Sequence, residues 1–131
     1  MTEAIHAAGH EFDAVGGLVL GAAHVAIGIA FAAKCGWFLV EKEPDKHYPF
    51  RQIQGKRIGP GNKVVVVDDA VTSGGSIILA CDLVAATGAK IVAATTLIDR
   101  GDIATELFEQ RGIDYFPMAT YHDLGIGPVV L

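Results

Sequence analysis

The sequence predicts an α/β domain with a parallel sheet flanked by helices. Three observations predict it. Val64-Val65-Val66-Val67 is an unbroken β-branched run, and its lack of alternation implies a strand buried on both faces. Short β runs alternate along the chain with helix-length segments, the pattern of a sheet wound by crossover helices. The composition agrees, with 51% hydrophobic and 19% charged residues. At 131 residues, the whole of 1–131 reads as one domain.

Taken in order, Thr2–His10 is a short helical piece. Phe12–Gly16 starts a strand that ends at Gly16-Gly17, where the glycines remove β propensity. Ala22–Lys34 reads as a helix, with Gly36 as its terminator after Cys35. Trp37–Val40 is a short β run. Glu41–Lys63 is polar and broken by Pro44, Pro49, Gly55, Gly59, Pro60 and Gly61, so it reads as a long loop or β-arm of the kind that serves as a lid. After the valine strand, Ser76–Thr87 is a helix with Gly88 just beyond it. Lys90–Ile98 is a second buried strand, Ile103–Arg111 a helix closed by Gly112, and Tyr115–Thr120 a last short strand.

Bulk properties exclude several function classes. A formal net charge of −5 argues against a nucleic-acid partner. No basic region followed by an apolar run opens the chain, so no signal peptide is expected. Val15–Ala33 is apolar, but its glycines and His24 suit a strand, a loop and a helix better than a membrane span. The expectation is a cytoplasmic protein with no membrane partner. Cys35 and Cys81 lie in apolar or helical contexts and read as free thiols.

The sharpest motif is Val64–Val67 followed by Asp68-Asp69-Ala70-Val71-Thr72-Ser73-Gly74-Gly75-Ser76 and a helix. A helix N-terminus has unpaired N–H groups and a partial positive charge, which suit a phosphate. Gly74 and Gly75 let backbone approach an anion, and Thr72, Ser73 and Ser76 add hydroxyl donors. Asp68 and Asp69 repel a phosphate. They suit ribose hydroxyls, a nearby metal, or a sugar that develops positive charge. One turn thus offers an anion site beside an anionic pair, which a ribose 5-phosphate group satisfies. The blander possibility, an ordinary helix cap beside two solvated acids, explains each feature singly but not the combination. Neither a G-x-x-x-x-G-K-[ST] P-loop nor a dinucleotide fingerprint is present.

This segment resembles the phosphoribosyl pyrophosphate (PRPP) signature of the type I phosphoribosyltransferases, and the likeness extends along the chain toward the orotate phosphoribosyltransferases. Phe12–Ala22 is similar to that family's first strand and pyrophosphate loop. Phe38-Leu39-Val40-Glu41-Lys42-Glu43 resembles the opening of its mobile catalytic loop. Leu97-Ile98-Asp99-Arg100-Gly101 resembles its strand ending in Asp-Arg, and Tyr121-His122-Asp123-Leu124-Gly125 its L-x-D-L-G ending.

The resemblance implies transfer of ribose 5-phosphate from PRPP to orotate, with Mg²⁺ carried by PRPP rather than held by protein side chains. Asp68 and Asp69 would contact the ribose hydroxyls. Ala70, Val71, Thr72, Ser73, Gly74, Gly75 and Ser76 would hold the 5-phosphate. Gly17, Leu18 and Gly21 would belong to the pyrophosphate loop, and Arg100 would bind the base. Lys42, Lys46 and His47 would be the loop's catalytic residues. A homodimer is implied, with the loop reaching the neighbour's site.

Three departures accompany the likeness. Glu41 stands where the family has Arg, Asp45 where it has the catalytic Lys with Lys46 one place on, and Tyr48 where it has Gly. His24 follows Ala23 where the related loop reads Ala-Asp-Pro; it reads as a helix cap, with contact to pyrophosphate as the alternative. Only Met1–Glu11 precedes Phe12, so the hood over the base is expected to be reduced. Two alternatives stay open: a non-catalytic PRPP or nucleotide sensor, and a transferase for another base.

Overall fold

The computed structural model describes residues 1–48 and 51–130. Its elements are α1 (Thr2–Ala7), β1 (Ala14–Leu18), α2 (Ala23–Ala33), β2 (Gly36–Val40), β3 (Ile53–Gly55), β4 (Lys63–Val71), α3 (Gly75–Ala85), β5 (Lys90–Asp99), α4 (Ile103–Arg111) and β6 (Asp114–Thr120). They form a six-stranded sheet in the order β3-β2-β1-β4-β5-β6. Every pairing is parallel except β2 with β3, which is antiparallel.

The valine run behaves as its lack of alternation requires. Successive strand residues face opposite sides of a sheet. Val64 and Val66 join Ile77, Ala80, Val84 and Phe108 in one core, whereas Val65 and Val67 join Ile5, Val25, Ala26 and Ile29 in the other. All four valines are fully buried. The sheet is therefore sandwiched, with α3 and α4 on one side and α1 and α2 on the other.

Several boundaries differ from expectation. β1 does not stop at the glycine pair but runs on to Leu18, and Gly17 pairs with Leu39 of β2. The reason is packing. A Cβ at Gly16 would overlap the ring and carbonyl of Phe38, and one at Gly17 would overlap the carbonyl of Val67. β4 also continues past the acids, since Asp68 is in register with Thr96 and Val71 with Asp99. α1 stops at Ala7, short of His10. α2 ends at Ala33 with Lys34 in the left-handed region (φ 55), so Gly36 opens β2 rather than closing the helix. Among the described residues, the expected arm between Glu41 and Lys63 contributes the three-residue β3 and no other strand before Lys63. Pro49, counted in that arm, lies outside the described residues. Cys35 and Cys81 are free thiols, and burial pushes Cys81 up to about 12, so it stays protonated.

Candidate functional site

The site forms where β1 and β4 end beside the start of α3. The crossover from β4 through α3 to β5 starts the helix at the sheet's carboxyl edge, where ligands of open α/β sheets bind. Gly74 is the N-cap of α3 with φ 85, a conformation that glycine adopts without penalty. No side chain caps the helix there; the Gly75 N–H reaches the Ser73 hydroxyl only at 3.4 Å. The first-turn amides therefore remain oriented toward an incoming anion.

Two cavities meet at this point. One, of about 220 Å³, is lined by Asp68, Ala70, Val71, Thr72, Ser73, Gly74, Gly75, Ser76, Ile77 and Arg100. The second, of about 250 Å³, is lined by Leu18, Val19, Leu20, Gly21, Asp68, Asp69, Ala70 and Ser76. Asp68, Ala70 and Ser76 are common to both. The acid pair thus separates an anion pocket at the helix from a pocket under the β1–α2 turn.

The acids are held by short local bonds. Asp68 Oδ1 accepts the Asp69 N–H at 2.8 Å, and Asp69 Oδ1 accepts the Ala70 N–H at 2.7 Å. Gly21 lets the neighbouring turn close on them. A Cβ there would lie 2.6 Å from Asp69 Oδ1 and 3.1 Å from Asp68 Oδ1. Asp68 is 7% exposed. Burial, with the adjoining Asp69 carboxyl adding to it, pushes Asp68 up to about 7, against the lowering effect of the Asp69 backbone bond.

A pH dependence follows. Between the ordinary carboxylate range near 4 and about 7 the folded chain keeps a proton on Asp68 that the unfolded chain has lost. Fewer protons are bound in the unfolded state, so this group's contribution to stability falls as pH rises through that window. Chemical denaturation at pH 5 and pH 8 is expected to show a loss that Asp68→Asn removes. An equal loss in the variant would refute the assignment.

Arg100 follows β5 and lines the same cavity as the 70–76 turn. Its Nε and Nη2 donate to the Thr72 hydroxyl at 3.1 and 2.9 Å. The structure therefore brings together Asp68, Asp69, the whole 70–76 turn, Leu18, Gly21 and Arg100. Gly17 stands apart, buried inside β1 beneath the turn. The turn itself is Val19–Ala22, and Leu20 is 84% exposed on it. His24 is the second residue of α2 and makes no capping bond; the N-cap is Ala22. The cap reading of His24 is thus corrected.

Lys42, Lys46 and His47 are exposed and line neither cavity. Asp45, at the family's lysine position, closes a local turn by accepting the N–H groups of His47 (2.7 Å) and Tyr48 (3.0 Å). Glu41 receives the Gln54 amide at 3.4 Å. Glu41, Glu43 and Asp45 line a separate cavity of about 640 Å³ with Tyr48, Arg51, Ile53 and Gln54. The loop's acids thus face a space of their own rather than the 70–76 turn. Sequence reasoning gave no role to Asp99 or Tyr115. The Tyr115 hydroxyl donates to Asp99 Oδ2 at 2.7 Å behind Arg100. Their separation of sixteen residues across two strands leaves no local signal.

The chain matches the phosphoribosyl transferase domain over residues 5–110. The orotate phosphoribosyltransferase of Pyrococcus furiosus is 33% identical over 116 residues, spanning 88% of this chain and 63% of that protein. The orotate phosphoribosyltransferase of Corynebacterium glutamicum is 37% identical over 118 residues, spanning 88% and 64%. The chain thus covers less than two thirds of these curated relatives. Among solved structures, the orotate phosphoribosyltransferase of Mycobacterium tuberculosis in complex with PRPP is similar with a TM-score of 0.79 at 34% identity, covering 90% of this chain and 68% of that one. A phosphoribosyltransferase from Corynebacterium diphtheriae gives a TM-score of 0.83 at 33% identity, covering 92% and 71%.

Proposed function

Because the chain belongs to the phosphoribosyl transferase domain family, we propose that it transfers ribose 5-phosphate from PRPP to orotate, giving orotidine 5′-phosphate and pyrophosphate. The observation that carries this reading is the pair of cavities joined at Asp68. A 5-phosphate on the α3 amides and a pyrophosphate under the Val19–Ala22 turn would place the ribose over the acids.

In this reading the amides of 72–76 and the hydroxyls of Thr72, Ser73 and Ser76 bind the 5-phosphate. Asp68 and Asp69 hold the ribose hydroxyls. As the C1–oxygen bond to pyrophosphate breaks, the bonding pair leaves with pyrophosphate and positive charge grows on the sugar ring. The carboxylates stabilise that charge more than they stabilise the ground state. The orotate ring nitrogen then bonds to C1 and gives up its N–H proton to an oxygen of the departing pyrophosphate. Arg100, held at the cavity by the Thr72 hydroxyl, pairs with the orotate carboxylate, which its planar fork fits. Lys42, Lys46 and His47 are assigned to the leaving pyrophosphate once the loop closes and excludes water.

Mg²⁺, when bound, neutralises the leaving group. Among the described residues no three His, Cys, Asp or Glu side chains converge on one point. The residues present fit an ion held mainly by substrate oxygens beside the acid pair, as Mg²⁺ is commonly bound. A homodimer is part of the proposal, supported by the large apolar side chains that α2 and its preceding turn leave outward: Leu20 (84% exposed), Ile27 (42%) and Phe31 (89%). Sedimentation as a single copy at micromolar concentration would overturn that part. A cytoplasmic setting is likewise proposed. Among the described residues no helix is long and apolar enough to cross a membrane.

A sensor that binds PRPP without turnover is the second reading, favoured by the acids Glu41 and Asp45 in the loop and by the absence of Lys42, Lys46 and His47 from the lining of either cavity. Purified protein with PRPP, Mg²⁺ and orotate is expected to consume orotate, read by its absorbance. PRPP binding by calorimetry without orotate loss would support the sensor or a transferase for another base. Neither binding nor turnover would defeat both readings of the acid-rich turn.

A further inference from the structure

We propose that Tyr115 is a positioning residue: through the buried carboxylate of Asp99 it fixes the strand end that presents Arg100 to the base. The proposal rests on the reading of Arg100 as the base-binding residue.

Asp99 is the last residue of β5 and is 2% exposed. Leaving such a carboxylate unpaired is costly, so its partners are held firmly. Both of its oxygens are engaged, by groups from different elements. Oδ2 accepts the Tyr115 hydroxyl of β6 at 2.7 Å, and Oδ1 accepts the Gly101 N–H at 3.0 Å. The carboxylate therefore bridges β6 to the residue that follows Arg100. Tyr115 is itself fixed, with its ring stacked on Phe108 of α4 at 4.6 Å between centroids. Burial and the Asp99 bond raise the Tyr115 hydroxyl above its usual range, so it remains a donor.

The other side of this strand end is tied to the phosphate turn. The Arg100 N–H donates to the Val71 carbonyl at 2.7 Å, and the Arg100 carbonyl accepts the Val129 N–H at 2.7 Å. Gly101 sits so close that a Cβ would lie 2.6 Å from the Thr72 carbonyl oxygen. Little clearance remains. A shift of the Asp99 carboxylate carries the Gly101 N–H with it and tilts the Arg100 side chain off Thr72. Misplacement of about an ångström is enough to cost a binding site much of its effect.

The deciding experiment is a pair of measurements on the full chain and Tyr115→Phe, which removes one oxygen and keeps the ring stack. The first is the ¹⁵N relaxation of the Arg100 Nε–H, which reads its anchorage on Thr72 whether or not the protein turns over. Order in the parent and loss of order in Tyr115→Phe is the expected result; an unchanged signal overturns the proposal. The second is steady-state kinetics. Orotate KM is expected to rise about tenfold while PRPP affinity stays within about twofold. Adding Tyr115→Phe to Arg100→Ala is expected to raise orotate KM no further, because the phenol acts through that side chain. Additive effects, or an equal loss of PRPP affinity, would mark Tyr115 as a general structural residue instead. Asp99→Asn keeps an acceptor for Gly101 and a donor for the phenol oxygen, so it is expected to retain the ordered Nε–H signal; its loss there would replace geometry with charge as the cause. A parent that binds no PRPP would defeat the proposed function, while the Arg100 signal would still decide the role of Tyr115.

Discussion

Converting Asp68→Asn together with Asp69→Asn is expected to lower kcat/KM for PRPP about a thousandfold while the protein stays folded. The two effects separate because the amides replace the carboxylates in shape. An Asn oxygen at each position still accepts the N–H bonds of Asp69 and Ala70. With the rate measured at pH 8, where Asp68 has lost its proton, what disappears is the negative charge assigned to the ribose. One unit charge about 4 Å from another, at an effective dielectric constant of about 20, is worth about 4 kcal/mol. That corresponds to about three powers of ten in rate. Because Asp68 is costly to bury as an anion, thermal melting of the variant at pH 8 should not fall below that of the parent. Orotate absorbance gives the rate. A drop smaller than about tenfold would remove the acid pair from the mechanism.

Gly17→Ala is expected to destabilise the fold by about 3 kcal/mol or more, the upper end for an overpacked core site. The methyl group would enter the Val67 carbonyl and lie 2.6 Å from the Ala22 Cβ. Neither neighbour is the far end of a flexible side chain, so the backbone of β1 or β4 must move. Against a typical native stability of about 5–15 kcal/mol this is a large fraction. Gly28→Ala is the contrasting variant. Gly28 lies within α2 with nothing within 4 Å of its Cβ position. There the methyl group should stabilise by about 0.5–1 kcal/mol through helix propensity. Denaturation midpoints read both. Equal midpoints for Gly17→Ala and the parent would mean that the strands are not packed as described.

The sheet was legible because its signals are local. The valine run, the glycines after α3 and α4, and the strand–helix alternation each depend on neighbours in the chain, and α4 was read to the residue. The 68–76 turn was legible as a cavity wall for the same reason, since one contiguous segment supplies nearly the whole of one cavity. Gly16-Gly17 misled because glycine has two meanings. It can break a strand, or it can let two strands and a ring approach, and only the partner Phe38 tells them apart. His24 misled because a polar residue near a helix start suggests a cap, whereas Ala22 occupies that position. The Arg100–Thr72 and Asp99–Tyr115 contacts join residues far apart in sequence, and no periodicity announces them. Asp45 was legible as a departure from its family but not as the hub of a turn.

The order of strands has a consequence for how copies of the chain can meet. Each sheet has two margins, and an open margin invites strand addition and aggregation. One margin here is β3, only three residues long, ending at Gly55 with φ 93 and followed by Lys56. The other is β6, which carries Pro117 in its middle, a residue with no N–H to offer an added strand. Both margins thus discourage continuous pairing between molecules. A face free of that constraint is the helix-covered one, where α2 turns Ile27 and Phe31 outward.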